Sequence, residues 1–316
     1  MRRLTILLAC ILLPVCAYAQ SPIKIGQPNW YSGEVVAKVL ESIIEDRFDV
    51  PVDIVPGTNP EIYGSIAAQD GAYDMHADMW LPGHSNWVDP MVADGLMRIS
   101  DVEYDGKIGL CTPRYTAETL NLRTVEDLAR GDVISALPTD NDGRVPVWVG
   151  DEGWQMTAVG TVKLRDYGLD ASYKPLVTSE PAFTDELYAA MGRRENIVFA
   201  CYEPLSWFAM EFIEYIEEPA YDPALHNLVL PSESDNWLSE SSVTTGESLS
   251  RVSVGYSTRI VRDHPQVAGF LSRFGMTNED ITEFMFLNQI KGIEMDFVVQ
   301  DWVSANATRV EAWING

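Results

Sequence analysis

The segment IKIGQPNWYSGEVVAKVLESIIEDRFDVPVDIV (23–55) decides the class of fold. Ile23 to Gly26 predicts a short strand, and Ser32 can cap a helix after a loop that carries Trp30. The helix has an apolar stripe at helical spacing, formed by Val35, Val36, Val39, Leu40, Ile43 and Ile44. A second strand over Val52 to Val55 completes a βαβ unit, which predicts a parallel sheet.

The same order of elements continues and then recurs. A helix over about 60–69 and a strand over 73–79, ending at Trp80, extend the first unit to βαβαβ. A second unit is predicted from strands at 132–137, 173–177 and 196–200 and helices at 154–167 and 181–194. A strand near 252–256 and three helices, which begin near His264, Thr277 and Asp296, complete the chain.

Two such units with a returning C-terminal segment predict an α/β protein of two lobes around a cleft. We assign residues 20–110 and 226–316 to lobe one and residues 111–225 to lobe two. Each lobe is expected to be a mainly parallel sheet flanked by helices, with hinges near Cys111 and Leu225. Ligands of open parallel sheets bind beyond the carboxyl ends of the strands, so we expect the ligand in the cleft between the lobes.

Aromatic residues follow or end four of the predicted strands. They are Trp30, Trp80, Trp154 and Tyr202, with Trp148 and Trp207 as reserve candidates. Aromatic faces attract cations, above all quaternary ammonium groups, which cannot donate hydrogen bonds. The alternative is that these side chains simply pack in the core or between the lobes. We predict that they form an aromatic box for a methylated cation.

The first residues have the pattern of a secretory signal. Arg2 and Arg3 precede an apolar run from Leu4 to Val15, and Ala17 to Ala19 offers a small-residue cleavage site before Gln20. We therefore expect residues 1–19 to be removed and the protein to reside in the periplasm. The net charge of −25 argues against nucleic acid and anionic membranes as partners.

Two features leave alternatives open. Export makes a disulfide between Cys111 and Cys201 feasible, and two buried free thiols fit the sequence equally well. Asp140, Asn141 and Asp142, followed by a glycine, have the oxygen-rich character of a calcium loop, although the rest of an EF-hand is absent. An Asx turn is the main alternative to a structural Ca²⁺ there. No other cofactor is expected.

Three segments resemble the substrate-binding proteins of glycine betaine, proline betaine and choline ABC importers. They are HADMWLPGHSNW (76–87), PTDNDGRVPVWVGDEGWQM (138–156) and IVFACYEPLSWF (197–208). In the first, a tryptophan lies four residues before a histidine, here Trp80 and His84; in the last, Tyr202 stands where the family usually has tryptophan. The resemblance implies a two-lobed periplasmic binding protein (type II) that closes on its ligand and delivers it to permease subunits in the inner membrane.

The chain departs from the betaine pattern in an acidic loop. Asp151 and Glu152 precede Trp154, and a buried carboxylate would repel a carboxylate ligand. The loop resembles that of the trimethylamine N-oxide-binding proteins of marine bacteria, which makes Glu152 our candidate for the ligand oxygen. Trimethylamine N-oxide is therefore favoured, with choline and glycine betaine close, since His84 and Gln155 offer donors to a betaine. An exposed acidic loop is the alternative.

The sequence lacks the common hydrolase motifs, including G-x-S-x-G, H-E-x-x-H and the P-loop. We therefore expect no catalytic activity. A secreted hydrolase stays an alternative, because acidic pairs are plentiful. A ligand-sensing module of a membrane receptor is a further alternative that would share the same site.

Overall fold

The computed structural model describes residues 21–210 and 212–316. The predicted signal segment lies outside these residues. The strands are β1 (Ile23–Gln27), β2 (Val52–Pro56), β3 (Met75–Leu81), β4 (Met97–Ile99), β5 (Tyr104–Pro113), β6 (Val145–Gly150), β7 (Tyr173–Val177), β8 (Phe199–Glu203), β9 (Ile213–Ile216), β10 (His226–Asn227), β11 (Ser242–Val243) and β12 (Ser250–Ser257). The α/β class is confirmed.

Helices cover both halves of the structure. They are α1 (Tyr31–Phe48), α2 (Asn59–Ala68), α3 (Ser85–Ala93), α4 (Arg114–Leu120), α5 (Gly131–Ala136), α6 (Gln155–Asp166), α7 (Glu180–Gly192), α8 (Ser206–Ala209), α9 (Trp237–Glu240), α10 (Thr258–Asp263), α11 (Pro265–Arg273), α12 (Asn278–Met285), α13 (Met295–Ala305) and α14 (Ala307–Asn315). Short 3₁₀ turns occur at Val125–Ala129 and Pro223–Leu225, and a π-helical turn at Phe286–Ile290. Among the described residues, we find no helix with the length and apolar character that a membrane crossing requires.

The strands form two sheet regions that share β5. Strand order is β2-β1-β3-β12-β5 in the first and β5-β8-β6-β7 in the second, with β4 beside β12 and β9 beside β5. Tyr104 to Gly106 of β5 pairs with β12, and Lys107 to Cys111 pairs with β8. The βαβ units are parallel as predicted, whereas β12 runs antiparallel to β3 and β5.

One predicted strand is wrong. Residues 132–137 belong to helix α5 and its C-terminal end, and the first strand of the second unit is β6. Val133 and Leu137, four residues apart, are both buried, which is helical spacing. The Ile134 amide donates to the Arg130 carbonyl at 3.0 Å. The short apolar run fits the spacing of a strand as well as that of a helix, and only its packing in the fold decides between the two.

The cysteines form a disulfide between Cys111 on β5 and Cys201 on β8. Antiparallel pairing of these strands sets Cys201 opposite Gly109 and Cys111 opposite Phe199. The disulfide alternative is therefore the one that the fold adopts.

Residues 226–243 pack against α6 of the second sheet region. Val243 and Trp237 contact an apolar cluster on α6, and the Val243 amide donates to Asp166 Oδ2 at 2.6 Å. The chain re-enters the first sheet at β12, which begins at Ser250. The predicted division into lobes at 226 stays a prediction, and these contacts favour a return nearer to residue 250.

Candidate functional site

A cavity lies where β1, β3, β6 and β8 end or are followed by loops, between the two sheet regions. Its volume is about 40 Å³, where a single water needs about 10–15 Å³. The lining side chains are Trp30, Asn59, Trp80, His84, Ile108, Trp154, Gln155, Met156 and Tyr202. This position matches the rule for open parallel sheets. The cavity is sized for a small ligand.

Four aromatic rings surround the cavity, and we call them the aromatic box: Trp30, Trp80, Trp154 and Tyr202. The ring centroids of Trp80 and Tyr202 lie 5.4 Å apart, nearly perpendicular at 89°. Trp154 lies edge-on to Trp30 at 5.7 Å and to Tyr202 at 6.2 Å. Each ring is at least nine-tenths buried. The structure thus brings together the four aromatics predicted at the strand ends, and their role in binding stays a prediction.

A buried carboxyl group, Asp78, orients two of these rings. Its Oδ2 accepts hydrogen bonds from Trp30 Nε1 at 2.6 Å and from Trp80 Nε1 at 3.0 Å. The hydroxyls of Ser32 and Tyr104 donate to the same carboxyl group. The Ser32 side chain therefore bonds Asp78 and does not cap helix α1, contrary to the sequence prediction. The N-cap residue of α1 is Trp30. Burial raises the pKa of Asp78, and the hydrogen bonds that it accepts oppose part of that rise.

A second buried carboxyl group, Glu180, holds the fourth ring. Tyr202 Oη donates to Glu180 Oε1 at 2.7 Å, and the Tyr31 amide donates to Oε2 at 2.9 Å. Glu180 opens α7 in the second region, whereas Tyr31 opens α1 in the first. Burial raises the pKa of Glu180 to about 8. Glu180 thus supports the box and also joins the two regions.

Asn29 makes a second connection between the regions. Its side chain accepts a hydrogen bond from Trp154 Nε1 at 2.7 Å and donates one to Asp151 Oδ2 at 2.8 Å. The polar atom of every ring in the aromatic box is therefore held from outside. The rings present their apolar surfaces and negative faces to the cavity, which suits a methylated cation.

Neutral polar side chains form the remaining wall. His76 Nε2 lies 2.9 Å from Asn59 Oδ1, and Asn59 Nδ2 lies 3.3 Å from His84 Nε2. His84 Nδ1 meets Tyr63 Oη at 2.7 Å. Burial lowers the pKa of His84 to about 3, so the ring is neutral at pH 7. His84 therefore offers a ligand no positive charge.

Two predicted binding residues lie away from the cavity surface. Trp148 is fully buried behind the box, stacked on Phe183 at 4.5 Å and edge-on to Trp154 at 6.0 Å. Glu152 is exposed on the loop before α6 and is absent from the lining set. Its proposed contact with a ligand oxygen stays a prediction. Trp148 supports Trp154 from behind.

The predicted calcium loop forms ion pairs. Lys174 Nζ lies 2.7 Å from Asp140 Oδ2 and 3.1 Å from Asp142 Oδ2, and Arg144 pairs with Asp142 as well. The Arg144 amide donates to Asp142 Oδ1 at 3.1 Å, which is the bond of an Asx turn. Within residues 21–210 and 212–316, no group of three or more acidic, histidine or cysteine side chains could hold a metal ion. Asp140 and Asp142 form an ion-pair cluster around Lys174, and a calcium ion at this loop stays a prediction.

Sequence reasoning missed the two supporting carboxyl groups. Asp78 had a signal, because it is a charged residue within the buried strand that ends at Trp80. A carboxylate is rarely fully buried without partners, which points to a functional position. Glu180 had no comparable signal, since an acidic residue in the first turn of a helix is common on protein surfaces. Asn29 was likewise missed.

Comparison with known families agrees with this geometry. The family described as the substrate binding domain of the ABC-type glycine betaine transport system matches residues 21–305. This chain belongs to the OpuAC family. Members of the OpuAC family bind a solute for transport and are not enzymes. They are the substrate-binding components of ABC importers and lie on the outer side of the cytoplasmic membrane. No curated protein matches the chain.

Solved structures of OpuAC-like proteins share the fold. The lactococcal OpuAC in its closed form with glycine betaine has a TM-score of 0.70 at 18% identity, covering 94% of this chain and 100% of that one. A choline-binding protein of an ABC transporter, in complex with choline, has a TM-score of 0.70 at 15% identity, covering 93% and 92%. The glycine betaine and L-proline-binding protein ProX of Borrelia burgdorferi has a TM-score of 0.68 at 17% identity, covering 93% and 97%. At these identities the likeness establishes the two-lobed fold.

Proposed function

We propose that this OpuAC-family chain is the exported binding component of an ABC importer and captures a small trimethylammonium compound in the aromatic box. The observation that carries the proposal is the cavity enclosed by Trp30, Trp80, Trp154 and Tyr202, whose polar atoms all bond outward. A desolvated contact between a cation and an aromatic face contributes about 2 kcal/mol. Several such contacts place the affinity around micromolar after ordering costs, about −8 kcal/mol.

The charges around the box favour a ligand without a carboxylate. The Asp78 carboxyl group lies directly behind two of the rings, and the described lining residues include no lysine or arginine. A betaine carboxylate would enter this site without a cationic partner, which is costly in a dry cavity. Trimethylamine N-oxide is our favoured ligand, because it is compact. Choline is close behind it, and glycine betaine follows.

Two tryptophan variants test the proposal. Trp80→Ala and Trp154→Ala should each weaken binding by about tenfold or more, or about 1.4 kcal/mol, because each removes one face of the box. Calorimetry against trimethylamine N-oxide, choline and glycine betaine gives the affinities, and thermal unfolding confirms that the variants fold. Trp237→Ala is the matched control, since Trp237 packs against α6 away from the cavity. Wild-type affinity in both box variants would show that the ligand binds elsewhere.

A further inference from the structure

A second cavity adjoins the aromatic box. It has a volume of about 300 Å³, and we call it the vestibule. Its lining residues are Pro82, Gly83, Asn86, Ile108, Gln155, Tyr221, His226, Asn227, Leu228, Leu230, Glu233, Glu247, Ser248 and Ser250. Ile108 and Gln155 line both cavities. The side chain of Gln155 therefore stands between the small apolar box and a larger polar space.

Gln155 is held in that position by its neighbour across the cleft. The residue opens α6, and its amide group lies against Gly83 in the turn after β3. A methyl group on Gly83 would meet Gln155 Oε1, so a side chain there would displace the flexible end of Gln155 from this place. Gln155 thus closes one side of the box by touching the opposite lobe.

The amide of Gln155 is available to a ligand. Within the described part of the chain, no protein group forms a hydrogen bond with its side chain. An amide offers both a carbonyl acceptor and two N–H donors. The other polar wall groups, Asn59 and His84, are already bonded to each other. Gln155 is therefore the polar group of the wall that is free to form a hydrogen bond with a ligand hydroxyl or N-oxide oxygen.

The vestibule carries negative charge. Glu233 and Glu247 line it, and Asn86 donates to Glu233 at 3.3 Å across the cleft. Glu247 lies 2.9 Å from Lys163, which also pairs with Glu218, so the surrounding carboxylates outnumber the lysine. The described lining residues include no lysine or arginine. Such a space attracts a hydroxyl or an ammonium group and repels a carboxylate.

We propose that the vestibule is a second subsite for the tails of elongated trimethylammonium compounds and that Gln155 is the specificity-determining residue at its entrance. This inference rests on the proposed function, because the trimethylammonium head occupies the box. Gln155 bonds the first polar atom of a short ligand such as choline. It also narrows the passage, so a longer tail reaches the vestibule with lower affinity than it would past a shorter side chain at 155. Tails that end in an ammonium group are accepted, and tails that end in a carboxylate are rejected.

The test uses two variants of one residue and four probes. Gln155→Ala removes both the amide and the length of the side chain, whereas Gln155→Met keeps the length and removes only the amide. The probes are tetramethylammonium, choline, and two trimethylammonium compounds with the same pentyl chain, one ending in an amine and one in a carboxylate. Calorimetry measures each affinity at low and high salt.

The affinity of each protein for tetramethylammonium is the reference, because this probe has no polar tail, and the other affinities are compared with it. Both variants should lose choline affinity by about three- to tenfold, the effect of one neutral hydrogen bond. Only Gln155→Ala should gain affinity for the pentyl amine, by about tenfold. The amine should bind Gln155→Ala better than the carboxylate does, by a margin that shrinks at high salt.

Each other outcome overturns the inference. Unchanged choline affinity in both variants would show that Gln155 does not read the ligand. Equal gains for amine and carboxylate, or equal gains in both variants, would show that the vestibule is not the subsite. If tetramethylammonium fails to bind the wild-type protein, the proposed role of the aromatic box is refuted, and this inference is refuted with it.

Discussion

Asp78 is the residue whose substitution tests the electrostatics of the site most directly. In Asp78→Asn the amide oxygen can replace Oδ2 and accept from Trp30, Ser32 and Trp80, and the amide nitrogen can donate to the Tyr104 hydroxyl, which both donates and accepts. The geometry of the box is therefore kept. What changes is the charge, which is lost from a group that lies directly behind two indole rings.

The magnitude follows from Coulomb's law. Two unit charges about 7 Å apart, the width of an indole ring, interact by about 2 kcal/mol at an effective dielectric constant of about 20. Removal of the carboxylate should therefore weaken the binding of a permanent cation such as choline by about 25-fold. Folding stability should change little or rise, because the ionised carboxyl group is costly to bury and an amide is less so.

Calorimetry with choline and thermal unfolding of the ligand-free protein give the two numbers. Asp74→Asn is the matched control, since Asp74 precedes β3 at its other end and bonds the Lys24 amide. Choline affinity that is the same in Asp78→Asn and in the wild type would refute the reasoning, because Asp78 would then be neutral in the bound form. A large loss of folding stability in Asp78→Asn would show that the amide cannot reproduce the hydrogen bonds.

Two further predictions concern buried charges outside the direct ligand contacts. The pKa of Glu180 is raised to about 8 in the folded protein, so the folded state keeps a proton that the unfolded state loses above about pH 4.5. The free energy of unfolding should therefore fall by about 1.4 kcal/mol per pH unit between about pH 4.5 and 8. Glu180→Gln should flatten this dependence on pH, and an unchanged slope in the variant would contradict the assignment. Lys163→Met should destabilise the protein by about 3–5 kcal/mol in denaturant unfolding at pH 7, because it leaves Glu218 and Glu247 buried without their cation. His226 and Lys163 hold the pKa of Glu247 below its usual value of 4.5, so the stability that comes from its pairing with Lys163 is lost as pH falls below about 4.5. The cost of Lys163→Met should shrink there, and a loss independent of pH would assign the effect to packing alone.

Much of the fold was predictable because its signals are local. The stripe from Val35 to Ile44 and the strand at Val52 lie where the sequence places them, since periodicity reports burial directly. The position of Trp30 followed from the rule that sites lie beyond strand ends, whereas Trp154 was assigned to the end of the wrong strand and follows β6 instead. The strand predicted over residues 132–137 is wrong because a run of six residues fits both a strand and a short helix.

The partners within the site were not predictable in the same way. The four donors to Asp78 come from α1, β3, and β5, and only the folded sheet brings these elements to one point. The disulfide was undecided for the same reason, since only the pairing of β5 with β8 brings the Cα atoms of the two cysteines to 5.8 Å. Glu152 was chosen for its charge and its closeness to Trp154 in sequence. Those properties do not reveal which way a loop side chain points.

The antiparallel strand β12 has a consequence for how the chain folds. It pairs with β3, and this pairing sets Val252 opposite Trp80. Every strand of the second sheet region lies between β3 and β12 in the sequence. The first sheet therefore stays incomplete until residues 250–257, near the end of the chain, have joined it. Closure of so long an intervening segment slows folding, because its entropy is lost before the contacts form. The wall that carries Trp80 is complete only once β12 has paired with β3, so the binding site depends on two segments that lie far apart in the sequence.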